Sequence, residues 1–301
     1  MAPAVAHAHE REDGSVPTLA TAWSLSPWLL LPLALLVALH VVGLARLWRR
    51  AGVGRGIAVP EAAAFASGVL ALLLATTWPL DVLGEWSLAA HMAQHMLLLA
   101  VVPPLLLAGR PLATAAHALP ARWARALHAT TAAATQRAAL ALTAASIAHA
   151  LVMWCWHLPA ATSAALAHDG VHWAMHGSFL VAGLWFWAAL WRCIREPGTG
   201  AGAGVIALVA VMMQMGLLGG LLTFAPRPLY PDYVLRAPSL GLDPLADQQL
   251  AGLLMWVPSC VPYLVGALLL LWRGFERLGR DRDATRSRPA GPPPVYGPRP
   301  R

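Results

Sequence analysis

Apolar residues in this chain fall in long unbroken runs rather than in the short periodic stretches of a water-soluble fold. At about 1.5 Å per residue, a helix needs about 20 apolar residues to cross a hydrocarbon core of about 30 Å. Seven runs reach that length: residues 27–48, 59–78, 87–108, 137–157, 170–191, 203–224 and 249–272. Backbone polar groups in lipid must pair within their own segment, so runs of this length predict helices. The expected fold is all-α: a polytopic membrane bundle of about seven transmembrane helices. The first run is too long and starts too late for a cleaved signal peptide, and its arginines follow it, so it is read as a retained helix.

The polar segments between the runs predict an orientation. With the N-terminus outside, 18 of the 21 arginines fall in inner segments, and only Arg11, Arg227 and Arg236 fall outside. Nine of the 14 acidic residues lie on the outer side in the same scheme. The expected arrangement is therefore N-terminus outside and C-terminus cytoplasmic. Tryptophans agree, with Trp78, Trp86, Trp154 and Trp156 at outer ends and Trp48, Trp191 and Trp272 at inner ends. Three regions follow: a flexible extracytoplasmic segment (1–26), a seven-helix domain (27–275), and a disordered Arg/Pro-rich cytoplasmic tail (276–301). The Ala/Arg-rich stretch 110–136 suits a short amphipathic helix on the inner surface. The proline-rich loop 225–247 is expected to cap the outer face, and Pro103-Pro104 to kink its helix.

Composition reinforces the membrane class. Apolar residues make up 58% of the chain and charged residues 12%. Soluble domains carry about 25% charged residues, so half that share means that most of this chain faces something other than water. The net charge of +7 could suggest nucleic acid, but its one-sided placement points to membrane lipid as the partner and to no nucleic acid. Cys155, Cys193 and Cys260 are too few and scattered for a disulfide framework and are expected to be buried thiols. No phosphate-binding loop, nucleophile elbow or carboxylate pair is present.

Histidine is the ionisable residue that enters the spans, where such residues usually mark function. His91 and His95 are four apart at the start of the third run, with Met92 and Met96 as a neighbouring pair. His149, Met153 and His157 share one face of the fourth, and His168, His172 and His176 share one face at the start of the fifth. The alternating topology puts His91, His95, His157, His168, His172 and His176 at one outer depth. Imidazoles from three helices at one level make a candidate metal site. Imidazole suits copper, zinc, iron or nickel, and the interleaved thioethers of Met92 and Met96 tilt the choice toward copper(I). Asp81, in the loop before His91, is a candidate to orient an imidazole from behind. Against this, a membrane histidine often serves only as an interhelical hydrogen-bonding residue. That reading is preferred for His40 and stays open for His149. His117 and His128 are expected at the inner surface, and His7 and His9 in a solvated tail. Met212, Met213 and Met215 are expected to pack.

The stretches WPLDVLGEWSLAAHMAQHMLLLAVVPPLLLAGRPL and MWCWHLPAATSAALAHDGVHWAMHGSFLVAGLWFW resemble the CtaG family of caa3-type cytochrome c oxidase assembly factors. The likeness spans about residues 30 to 275, strongest at HMxQHMLL…PPLLLxGxP and WHLP…H…H…H. The resemblance implies a polytopic protein of the bacterial cytoplasmic membrane that is needed for active oxidase and helps deliver its copper. Carried over by position, it marks His91, His95, His157, His172 and His176, with His168 in the same block. The expected partner is an oxidase subunit or another copper chaperone, and the expected role is binding and transfer without enzymatic catalysis. Three rivals remain at this point: a haem b electron-transfer protein with two axial histidines, a copper or proton transporter, and a scaffold without metal.

Overall fold

The computed structural model describes residues 16–195 and 200–286, and all regular structure among them is helical. The elements are α1 (Pro27–Ala51), α2 (Val59–Thr76), α3 (Leu80–Leu83), α4 (Leu88–Met96), α5 (Val102–Ala108), α6 (Pro111–Ala118), α7 (Ala121–Leu140), α8 (Leu142–Trp156), α9 (Pro159–Ala167), α10 (Asp169–Arg195), α11 (Ala201–Thr223), α12 (Pro231–Arg236), α13 (Pro244–Trp256) and α14 (Cys260–Arg286). Six helical stretches are long and apolar enough to span a membrane, and the bent pair α8 and α9 makes a seventh.

Proline explains most departures from straight spans. Pro103 and Pro104 have no N–H to donate, so the third span cannot keep its α-helical ladder through them. It relaxes into a π-helical turn over Leu97–Val101, where the Val102 N–H reaches back to the Leu97 carbonyl. Pro159 ends α8, and α9 leaves at 74° to it. Helix α8 has 15 residues. Its length is therefore only about 22 Å, too short to span alone. Pro258 falls in the turn that separates α13 from α14, so the seventh predicted run is two helices. Pro120 likewise divides the predicted amphipathic segment into α6 and α7.

Described structure extends past the membrane spans at both ends. Residues 16–26, read as flexible, pack across the end of α2: the Ser24 N–H donates to Thr77 O (2.8 Å), Trp78 Nε1 donates to Leu19 O (2.7 Å), and Trp23 stacks on Trp78. The last helix runs on to Arg286, into the tail read as disordered. His7, His9 and residues 287–301 lie outside the described residues. The thiols also differ, since Cys193 is buried but Cys155 is exposed and Cys260 only half-buried.

Helix α10 lies at the centre, against α5, α8, α9, α11, α14 and the π-helical turn, whereas α1 is at the rim and packs chiefly on α6. Without a hydrophobic force between helices in lipid, close backbone approach through small residues sets the packing. Gly183 of α10 is such a point: a Cβ there would meet the Leu99 carbonyl oxygen at 2.8 Å and Pro103 Cγ at 2.7 Å. The carbonyl left without its helical donor by Pro103 is thus covered by the glycine face of α10. Gly177, on the same helix, has nothing within 4 Å of its Cβ position. Gly183→Ala is therefore expected to destabilise the protein by about 1–3 kcal/mol, and Gly177→Ala to be neutral or stabilising by up to about 1 kcal/mol. Thermal unfolding of both variants in detergent checks this; equal behaviour would contradict the packing argument.

Candidate metal centre

The centre forms where α2 ends, α4 and α10 begin, and α8 breaks. Asp81 of α3 is fully buried there. A carboxylate in such surroundings needs full hydrogen bonding or pairing. Gln94 Nε2 of α4 donates to its Oδ1 at 2.8 Å and also to the Ala75 carbonyl at 2.7 Å. His172 of α10 approaches the same Oδ1 through Nε2 at 3.1 Å, and His176 through Nδ1 at 3.8 Å. Since a carboxylate accepts, His172 donates to it from Nε2. The candidate ligand atoms of Asp81, His172 and His176 all lie within 4.8 Å of one another.

The other imidazoles close around this group. His91 and His95, one turn apart on α4, have ring centroids 4.2 Å apart. His95 is the meeting point, 5.5 Å from His157 and 5.9 Å from His176, with Phe179 tilted against it at 4.3 Å. All five rings are buried. Both ring nitrogens of His95 lack a hydrogen-bond partner among the described residues. His157 Nδ1–H donates to the Met153 carbonyl at 2.5 Å, which leaves Nε2 deprotonated, and Nε2 has no partner among the described residues. A buried imidazole whose tautomer is set by a backbone carbonyl is the usual condition of a metal ligand.

Local backbone chemistry sets these positions. His157 caps the broken end of α8, and the carbonyls that the break frees are engaged. Thr162 Oγ1 donates to Trp156 O (3.1 Å), and Tyr230 Oη donates to His157 O (2.7 Å). The start of α4 is held from another helix. Asp247 of α13 accepts from Ser87 Oγ (2.7 Å), Leu88 N–H (2.6 Å) and Ala89 N–H (3.3 Å). The carboxylate thus satisfies donors that a helix N-terminus leaves open and complements its dipole, fixing the helix that carries His91 and His95.

The 225–247 loop closes over the centre through tyrosines. Tyr233 Oη donates to Gly84 O (2.7 Å), its ring lies 6.1 Å from that of His91, and Arg236 donates to Glu85 O (3.1 Å). Burial raises both Tyr230 and Tyr233 hydroxyls above their usual pKa, so both stay neutral donors.

Of the sequence-derived candidates, His91, His95, His157, His172 and His176 meet. His168 does not: it is exposed at the junction of α9 and α10. Met92 and Met96 are buried in the apolar core on the adjacent face of α4. Asp81, expected to stand behind a ligand, lies within ligand reach itself. His40 hydrogen-bonds Thr114 (2.8 Å) and His149 hydrogen-bonds Tyr263 (2.9 Å), each an interhelical contact away from the centre. Gln94, Asp247, Tyr230 and Tyr233 were not among the candidates. Gln94 and Asp247 carried a signal, as polar residues inside or at the edge of an apolar run; the tyrosines carried none.

Fold and centre together define a multi-pass membrane protein with a buried, lidded histidine–carboxylate cluster. The family model of the cytochrome c oxidase caa3 assembly factors matches residues 38–277, most of the chain, so the chain belongs to this family. An oxidase partner and a membrane setting come with that membership. Comparison with the curated proteins and with the solved structures found no match.

Closure by the tyrosine loop has a chemical readout. Diethylpyrocarbonate modifies accessible neutral imidazoles, so exposed His168 is expected to react quickly and the five clustered histidines slowly. Tyr230→Phe with Tyr233→Phe removes two hydrogen bonds of about 1 kcal/mol each and is expected to raise the labelling rate of His91 and His157 several-fold. Unchanged protection, read by peptide mass spectrometry, would contradict the lid.

Proposed function

We propose that this assembly factor takes up a copper ion as cargo in the histidine–Asp81 cluster and hands it to an oxidase subunit, directly or through another copper chaperone. The observation that carries the reading is a cluster of five buried imidazoles, two of them against the Asp81 carboxylate, with His157 locked in the tautomer that bares Nε2. The residues fit the ion. Asp81, His172 and His176 are grouped closely enough to share it, and His91, His95 and His157 adjoin as further or receiving ligands. Imidazole serves copper in either oxidation state. The carboxylate in the group suits the divalent form, and Met92 and Met96 lend thioether character to the copper(I) form from the next face of α4. More nitrogen ligands than one ion needs permit ligand exchange, which release to a partner requires.

In this reading the centre faces the outer side of the bacterial cytoplasmic membrane, as the arginine distribution implies, and the protein forms and breaks no covalent bond of a substrate. Rings packed against one another at 4.1–5.9 Å above Phe179 favour a small ion over a haem b. The transporter reading finds less support, because the next histidine inward, His149, is engaged with Tyr263 and packed on Phe186.

Complementation tests the proposal. A strain lacking the gene is supplied with wild-type, His95→Ala, His172→Ala/His176→Ala or His168→Ala protein, and the copper content and activity of its oxidase are measured. The two cluster variants are expected to leave the oxidase copper-poor, with partial recovery on added copper, whereas His168→Ala behaves as wild type. Normal copper content with the cluster variants expressed at wild-type level would overturn the reading.

A further inference from the structure

At the opposite end of the bundle a cavity of about 690 Å³ lies between the end of α1, the outer side of α6 and the start of α7. Arg46, Arg49, Arg50 and His117 line it, and among the described residues no acidic one does. The nearest acid on α2, Glu61, is engaged by Arg110 (3.8 Å) and by the Ala58 N–H. The site is held in shape: Arg46 Nη1 donates to the Ala118 carbonyl at 2.6 Å, and Gly43 lets α1 touch the Thr114 carbonyl of α6. Topology alone calls for arginines on this side of the membrane, but scattered loop positions would satisfy it. Here three are gathered around one concavity.

We propose that this cavity binds the phosphodiester headgroup of an anionic phospholipid. Guanidinium groups pair with phosphate oxygens by two parallel hydrogen bonds, and basic pockets among membrane helices are the usual seats of such headgroups. Its depth fits. Trp48, beside Arg49 and Arg50, and the exposed Trp123 of α7, with Arg122 over its ring at 5.6 Å, mark the headgroup level. Exposed Leu112 on α6 offers an apolar surface beside the cavity for the acyl chains. The bound lipid would join α1, the least buried span, to the α6–α7 elbow.

The test uses the full chain purified in a neutral detergent. Short-chain phosphatidylglycerol, short-chain phosphatidylcholine and inorganic phosphate are titrated separately, and binding is read by native mass spectrometry and by thermal shift. Wild type is expected to bind phosphatidylglycerol at least ten-fold more tightly than phosphatidylcholine, and inorganic phosphate at equal concentration not to compete. Arg49→Gln with Arg50→Gln is expected to lose at least ten-fold in affinity for phosphatidylglycerol, and Arg227→Gln with Arg280→Gln, the same charge removed elsewhere, less than two-fold. Equal losses in the two double variants would reduce the effect to bulk charge and overturn the proposal. So would full competition by phosphate, or unchanged binding without Arg49 and Arg50. If the double variant does not stay monodisperse, Arg49→Gln alone is measured, with a loss of at least three-fold expected and no loss contradicting.

Discussion

Everything at the functional end of this protein depends on burying one carboxylate. Asp81 is fully buried, and the effective penalty for burying an unpaired charge is several kcal/mol. The fold meets that demand from two other helices, with Gln94 of α4 and His172 of α10 converging on the same oxygen, and Gln94 tying α2 in through Ala75. The contacts that make the carboxylate tolerable also bring His91, His95, His172 and His176 together. Structure and site therefore share their determinants. A change that relaxes Asp81 loosens the helix junction and the histidine cluster at once.

The second design element is the use of imperfect helices. A continuous fourth span would bury the backbone at residue 157 and point the side chain wherever the helical register dictated. The proline-induced break instead frees carbonyls whose new partners, Thr162 and Tyr230, lock the elbow, while His157 bonds its own helix end. Irregular backbone at membrane depth is tolerated where it is buried in protein or lines a cavity, and here it does the former. The π-helical turn after His95 plays a related part: it absorbs Pro103-Pro104 below the histidines, so the turn carrying His91 and His95 stays regular α-helix.

Much of this was legible in the sequence. Run length predicted the spans, and i,i+4 spacing selected the five histidines that meet. What stayed hidden was set by contacts between residues far apart in the chain. Asp247 lies about 160 positions from the helix start it holds, so its place at the edge of an apolar run flags it as unusual but does not name its partner. Tyr230 and Tyr233 sit in a loop whose fold depends on the surface beneath it. His168 was drawn in by its spacing from His172, but α10 begins at Asp169, so the helical face ends before His168 and the side chain turns outward. A single straight span was expected across Pro258, where the missing N–H and the ring clash broke it.

The central claim is that the cluster is a copper site. The most direct measurement is X-ray absorption spectroscopy of the purified full chain loaded with copper, in both oxidation states, beside His172→Ala/His176→Ala. The account predicts about one tightly held ion per chain in a shell dominated by imidazole nitrogen, with at least a ten-fold loss of affinity in the variant. Copper bound without imidazole scattering, or bound equally well by the variant, would contradict it.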